Sequence, residues 1–193
     1  MFFDVETTGL DPSSDQIVTI QVRRRGRNYI WKSWKPDEYT AIVDFLDFLK
    51  GVGSAEPIIR YNILKFDLPF ILVRLTKYKT KQGITRGLWM LLYQKRWMDL
   101  YQILGDSYLG LKEWVGTAKL RRKAKVSGKD IPLLFRQAKY DKIVAYINQE
   151  LLQQDMLFKW LQTTSFYWHL VKLQRQVNPE SITRLLGEEL RPR

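Results

Sequence analysis

The chain contains no cysteine, which removes disulfide frameworks, thiolate zinc sites and thiol nucleophiles together. Histidine is almost as scarce: His169 is the only one, so a metal ion here must be held by oxygen, with at most this one imidazole. No apolar run approaches the roughly 18 residues of a membrane span. The opening residues MFFDVETTGL place carboxylates where a signal peptide needs a basic start and an apolar core. A soluble, intracellular (cytoplasmic) protein with no membrane partner is therefore expected. Acidic residues are also outnumbered, 20 Asp and Glu against 32 Lys and Arg, for a net charge of +12 over 193 residues. With 45% hydrophobic and 13% aromatic residues there is enough to pack a core, so this charge decorates a folded body and not a disordered basic arm. It points to a polyanionic partner, nucleic acid or an anionic surface.

Hydrophobic patterning predicts an α/β protein. Phe2 to Val5 reads as a strand closed by the turn-prone Thr7-Thr8-Gly9. Gln16 to Arg23 alternates apolar and polar residues, Arg24 to Asn28 makes a glycine-containing turn, and Tyr29 to Trp34 returns as a third strand. Ala41 to Lys50 repeats apolar residues at three and four, which predicts a helix ended by Gly51 and Gly53. Pro57 to Tyr61 reads as a buried strand, followed by a helix from Asp67 to about Tyr78. Leu88 to Trp97 is strand or helix, undecided by periodicity. From Ile131 the pattern is helical almost to the end, with breaks near Thr163-Thr164 and Asn178-Pro179. Lys119 to Lys129 carries six basic residues without apolar periodicity and is the best loop candidate.

Three groups of residues carry possible chemistry. Asp4 and Glu6 lie two apart on the first strand, so both leave one face while Phe3 and Val5 leave the other. Two carboxylates about 4 Å apart repel by roughly 4 kcal/mol at an effective dielectric of 20, so the pair needs solvent, a proton or a cation. Asn62 and Asp67 follow the buried strand; alone, Asp67 reads best as a helix N-cap, supported by Pro69, a role compatible with that of a metal-associated carboxylate. On the late helix, Ile143, Ile147, Leu151 and Phe158 mark an apolar face at about 100° per residue. Tyr146 and Glu150 share its edge, and Asp155 falls nearly opposite Tyr146.

Together these residues resemble the DEDD (DnaQ-like) 3′–5′ exonuclease superfamily. Phe3-Asp4-Val5-Glu6-Thr7-Thr8-Gly9 is similar to its first motif, Asp-x-Glu-Thr-(Thr/Ser)-Gly on a strand, and Asn62 to Asp67 to its second, an Asn followed by Phe-Asp. Tyr146-Ile147-Asn148-Gln149-Glu150 resembles the Tyr-x-x-x-Asp motif of the tyrosine (DEDDy) subgroup with Glu in place of Asp, and Trp97-Met98-Asp99-Leu100 resembles an Asp-Leu segment of proofreading-type members. The pattern is similar to that of the proofreading exonuclease domains of family B DNA polymerases.

The resemblance implies a ribonuclease H-like mixed five-stranded sheet flanked by helices over residues 1–161, with 162–193 as a helical extension packed on the same domain. It implies two divalent ions, Mg²⁺ or Mn²⁺, held by Asp4, Glu6, Asp67 and Glu150, with Tyr146 orienting or helping to deprotonate the attacking water. Thr7, Thr8, Gly9, Leu10, Asn62 and Phe66 would bind substrate. The implied reaction is hydrolysis at the 3′ end of single-stranded DNA or RNA, DNA favoured, to nucleoside 5′-monophosphates. Short of the family pattern, the first strand starts three residues before Asp4, which predicts a chain shortened at its amino end.

A second reading keeps the fold as a nucleic-acid binder with catalysis impaired, because the extra methylene of Glu150 moves its carboxylate by roughly 1 Å. A third, a binder of anionic membranes or acidic proteins through charge alone, leaves the carboxylate motifs unexplained. Arg23, Arg24, Arg25 and Arg27 with Tyr29, Trp31, Lys32 and Trp34 read equally as a single-strand binding surface and as an edge hairpin whose aromatics pack on the core. Trp89, Trp97, Trp114, Trp160 and Trp168 are assigned to the core. The C-terminal helices are a candidate surface for a replication or repair partner.

Overall fold

A computed structural model of the chain describes residues 1–54, 56–78, 94–103 and 126–164. The chain divides into two compact units, Met1–Leu157 and Phe158–Arg193. The first is built on a five-stranded mixed sheet whose strands are β1 (Phe2–Thr7), β2 (Ile17–Arg24), β3 (Arg27–Lys32), β4 (Pro57–Arg60) and β5 (Arg96–Asp99). Their order is β3-β2-β1-β4-β5. The meander β1-β2-β3 is antiparallel, and β4 and β5 add in parallel on the other side of β1. The β2-β3 hairpin closes in two residues, Arg25 and Gly26, both at positive φ (50° and 80°). That is the I′ pattern matching strand twist, and it starts β3 earlier than expected, leaving Trp34 beyond the strand.

Helix α1 (Glu38–Lys50) also begins before the predicted Ala41, because Asp37 caps it by accepting from Thr40 N at 2.8 Å. With α2 (Leu68–Lys77) it packs on the sheet face that carries Phe3 and Val5. Phe3 stacks on Phe45 at 5.2 Å and meets Trp97 edge-on at 6.0 Å. A short α3 (Leu100–Ile103) follows β5. The predicted continuous helix from Ile131 is two helices, α4 (Ile131–Arg136) and α5 (Tyr140–Gln162), separated where Ala138 takes φ 53°. α5 lies across the other sheet face, joined to it by Gln154 on Asp4, Asp155 on Arg23 and Asn148 on Asn28. It ends at Gln162, before Thr163-Thr164 as expected, and the hydroxyls of both threonines turn back on carbonyls three residues earlier. No helix among the described residues is long and apolar enough to cross a membrane.

The hairpin aromatics take the core-packing alternative. Trp31 meets Phe45 and Phe48 at 5.4 and 5.1 Å, Tyr29 meets Phe48 at 5.0 Å, and Trp34 stacks flat on Tyr140 at 4.5 Å. Arg23 and Arg24 pair with Asp155 and Glu56. This pairing and packing favour the edge-hairpin reading for Trp31, Arg23 and Arg24, while Tyr29 stays 37% exposed. Most of Leu88–Trp97 and of the Lys119–Lys129 loop, together with Trp89, Trp114, Trp168, His169 and Asn178-Pro179, lie outside the described residues.

Candidate active site

Strand alternation places Asp4 and Glu6 on the sheet face under α5, beside their β2 partners Gln21 and Thr19. Both acids are buried. On α5 the buried Ile143, Ile147 and Leu151 seat the helix, and Tyr146, Glu150 and Gln154, four apart, form a polar stripe facing the acids. Single carboxylate oxygens of Asp4, Glu6 and Glu150 lie within 4.8 Å of one another. Gln154 Nε2 donates to Asp4 Oδ2 at 3.5 Å. Asp155 is directed away, to Arg23 Nε at 3.1 Å.

Asp67 reaches the same place by a different route. Asn62 at φ 65°, two residues after β4, turns the chain into Ile63–Asp67, a π-helical turn running into α2. The expected N-cap is not formed: Asp67 has helical dihedrals and makes no capping bond. Its Oδ1 instead accepts from Val5 N at 3.1 Å, joining it to β1 between the two first-motif acids. Asp99 fixes this turn, with one carboxylate accepting from Asn62 N at 2.7 Å, Leu64 N at 3.2 Å and Tyr101 N at 2.9 Å. The Asp-Leu segment was visible in the sequence, but not that its acid anchors the backbone of the second motif.

A residue the sequence reading missed lies among the acids. Arg60, the last residue of β4, pairs through Nη2 with Asp4 Oδ1, and its Nε is 3.5 Å from Asp67 Oδ1 and its Nη1 3.9 Å from Glu150 Oε1. Its side chain is 14% exposed. Gly128 was missed as well. It opens a 3-10 turn, Gly128–Asp130, capped reciprocally by Ser127 and Asp130, and a Cβ there would stand 3.3 Å from the Tyr146 hydroxyl and 3.9 Å from Glu6 Oε2. A capped turn pressed against the site thus replaces the carboxyl end of the predicted basic loop.

Burial governs the charge states. It pushes the Asp4 and Glu6 carboxyls well above their usual range; Arg60 opposes this, and the neighbouring acids add to it. Asp67 is pushed up to about 6 by burial, against the pull of Arg60 and of its backbone hydrogen bonds. Burial by itself would lower the Arg60 pKa, and the four surrounding carboxylates more than reverse it. The Tyr146 phenol is raised by burial, by Glu6 and Glu150, and by its hydrogen bond to Glu150. Asp67 Oδ2 and Glu150 Oε2 are buried without a hydrogen-bond partner. Crowded, desolvated carboxylate oxygens with open lone pairs are a donor set for a hard divalent cation, and these residues fit one.

The remaining expected substrate residues form the rim. Thr7 and Thr8 turn their hydroxyls inward, to Gly9 O and Asp15 Oδ1. Gly9 sits against Asp15, where a Cβ would meet Oδ2 at 2.2 Å, so a larger residue there would have to displace the Asp15 carboxylate. Leu10 projects into solvent, 82% exposed. Phe66 is half-buried against Phe70 at 5.5 Å. Behind this loop, buried Glu38 accepts from Ile17 N, from Arg74 Nε and Nη2, and from the Tyr78 hydroxyl, while Arg74 Nη1 and Lys77 Nζ reach Pro12 O and Ser13 O. The rim is thereby pinned to α1 and α2.

A mixed sheet of this order bearing buried acids on its central strand belongs to a recognised class: the model of the RNase_H superfamily matches residues 1–162, and the chain is a member of that superfamily. Among individual proteins, it is 38% identical over 104 residues to an uncharacterized protein of Methanocaldococcus jannaschii, a match spanning 54% of this chain and 53% of that one. The chain thus spans about half the length of this curated relative. Its fold is similar to part of the family B DNA polymerase of the hyperthermophilic archaeon Pyrobaculum calidifontis, with a TM-score of 0.66 and 19% identity over 83% of this chain and 24% of the polymerase.

Proposed function

We propose that the chain is a divalent-metal-dependent 3′–5′ exonuclease of the DnaQ-like, tyrosine type, acting on single-stranded nucleic-acid ends, DNA favoured, and releasing nucleoside 5′-monophosphates. The observation that carries this reading is the convergence of Asp4, Glu6 and Glu150 oxygens within 4.8 Å beneath α5, with Tyr146 one turn before Glu150 on the same helix. Mg²⁺ or Mn²⁺ held by Asp4, Glu6 and Glu150 would lower the pKa of a water and offset charge on the phosphate.

The chain's own groups do the rest. Tyr146, wedged between Gly128 and Glu150, orients the attacking water through its hydroxyl. Asp67, fixed by Val5 N, holds the second-motif side of the pocket. Leu10, held out on its pinned loop, offers an apolar contact for a terminal base. The glutamate at 150 reaches the cluster from α5, which favours the catalytic reading over the binding-only alternative. Replication or repair proteins remain the class of partner proposed for residues 162–193.

The test is digestion of 3′- and 5′-labelled single-stranded DNA and RNA with Mg²⁺, Mn²⁺ or chelator, by the wild type and Glu150→Gln. Shortening from the 3′ end that needs metal and is lost in the variant is expected. Full activity in Glu150→Gln would sink the assignment, and tight salt-sensitive binding without cleavage would favour the binding-only reading.

A further inference from the structure

We propose that the Arg60 guanidinium is a built-in cation of this site, standing on its Asp4/Asp67 side in place of a second divalent ion, so that the chain binds one ion, at Asp4, Glu6 and Glu150. This inference rests on the metal-dependent reading above and departs from the two ions that the sequence resemblance implies.

The four acids are not equivalent around Arg60. Its ion pairs run to Asp4, Asp67 and Glu150, and among the described residues none runs to Glu6. The three-carboxylate group converges on Asp4, Glu6 and Glu150 and leaves out Asp67. The pocket therefore has one place lined by three converging carboxylates, and a neighbouring place, between Asp4 and Asp67, already filled by positive charge.

A second ion joining Asp4 to Asp67 would need oxygens at about 2.0–2.1 Å if Mg²⁺, where Arg60 Nη2 now contacts Asp4. Among the described residues, Arg60 pairs with both Asp4 and Asp67 but not with Glu6, so an ion between Asp4 and Asp67 would stand nearer the guanidinium, and be repelled more, than one drawn toward Glu6. Departure of Arg60 is opposed by its setting. It ends a strand paired to β5 through the Arg60–Asp99 register, its side chain is mostly buried, and it is ion-paired to Asp4, Asp67 and Glu150. Leaving would strip three buried carboxylates of their counter-charge, which outweighs the hydrogen bonds its Nε and Nη1 lack. A guanidinium cannot be deprotonated in a protein, so the charge is permanent.

The test is Mn²⁺ binding by isothermal titration calorimetry, at fixed ionic strength, to the metal-free wild type, Arg60→Gln, Arg60→Lys and Glu150→Gln, with thermal unfolding in chelator to check folding. One ion is expected in the wild type and in Arg60→Lys, which keeps the charge, and two in Arg60→Gln; Glu150→Gln should lose the wild-type ion. Two ions in the wild type would overturn the inference while leaving the metal-dependent reading intact. So would one ion in a folded Arg60→Gln. No saturable binding to any of the four would overturn both. If Arg60→Gln does not fold, the stoichiometries of the wild type and Arg60→Lys still decide.

Discussion

Replacing Asp67 by asparagine should reduce a pH-dependent loss of stability in the metal-free protein by the share that Asp67 carries. Burial pushes the Asp67 carboxyl from 3.8 to about 6 in the folded chain. A folded pKa above the unfolded one means that the folded state holds the proton more tightly. The associated stability is fully present below pH 3.8 and is lost as pH rises through about 6. At about 1.4 kcal/mol per pH unit the whole effect is about 3 kcal/mol, of which about 2 kcal/mol falls between pH 4.5 and 7.5. The neighbouring Asp4 and Glu6 carboxyls are raised as well, so removing the Asp67 charge relieves them at high pH and enlarges the effect in the same direction. The assay is urea unfolding in chelator at those two pH values, for wild type and Asp67→Asn at equal ionic strength. Taking the difference between the two proteins cancels groups elsewhere, such as Glu56, whose pKa its hydrogen bond to Arg24 lowers. The wild type should weaken relative to the variant by at least about 2 kcal/mol as pH rises. A difference independent of pH, or of opposite sign, would refute the reasoning, and Mn²⁺ in place of chelator should suppress the loss.

Two further outcomes follow from the surroundings of the acids. Tyr146→Phe should lower kcat by about 10²-fold with little change in KM, because it removes an orienting hydroxyl. Gly128→Ala should cost several-fold in wild type and less in the Tyr146→Phe background, where its Cβ no longer meets an oxygen at 3.3 Å; additive effects in this double-mutant cycle would exclude the contact as the cause. Glu38→Gln leaves Arg74 buried without a carboxylate, the pair being 5% and 7% exposed, and should destabilise by about 3 kcal/mol in urea unfolding. A loss below about 1 kcal/mol would show that the network does not pin the rim.

The sequence made legible what depends on local periodicity. Period two puts Asp4 and Glu6 on one face and Phe3 and Val5 on the other, and the helical period puts Tyr146 and Glu150 on one edge and Asp155 off it. These hold because a strand or helix imposes its repeat on its own residues, whatever packs against it. The same repeat extends one turn further to Gln154, passed over because an amide is not an obvious metal ligand. For Asp67 the local pattern gives the right end of the right helix, and of its two readings only the cap fails. A free carboxylate there would cap, but this one is claimed by Val5 N, sixty-two residues away. That contact depends on β4 lying beside β1, which no local pattern encodes.

Arg60 illustrates the same limit and alters the meaning of the charge. In the sequence it is one of 32 basic residues, a unit in a surplus of +12. In the fold, Arg23, Arg60 and Arg74 are turned to buried or mostly buried carboxylates (Asp155, the site acids and Glu38), and Arg24 pairs with the more exposed Glu56. Such pairing removes positive and negative charge together, so it leaves the surplus intact while concentrating it on residues that do not pair. Arginine is suited to the inner task because its planar fork engages carboxylates from several sides and keeps its charge when buried. On the proposed reading, a polyanion meets the basic residues left unpaired, while the acids it would reach answer first to Arg60. The proposed metal stoichiometry then turns on a side chain that composition counts only as one more basic residue.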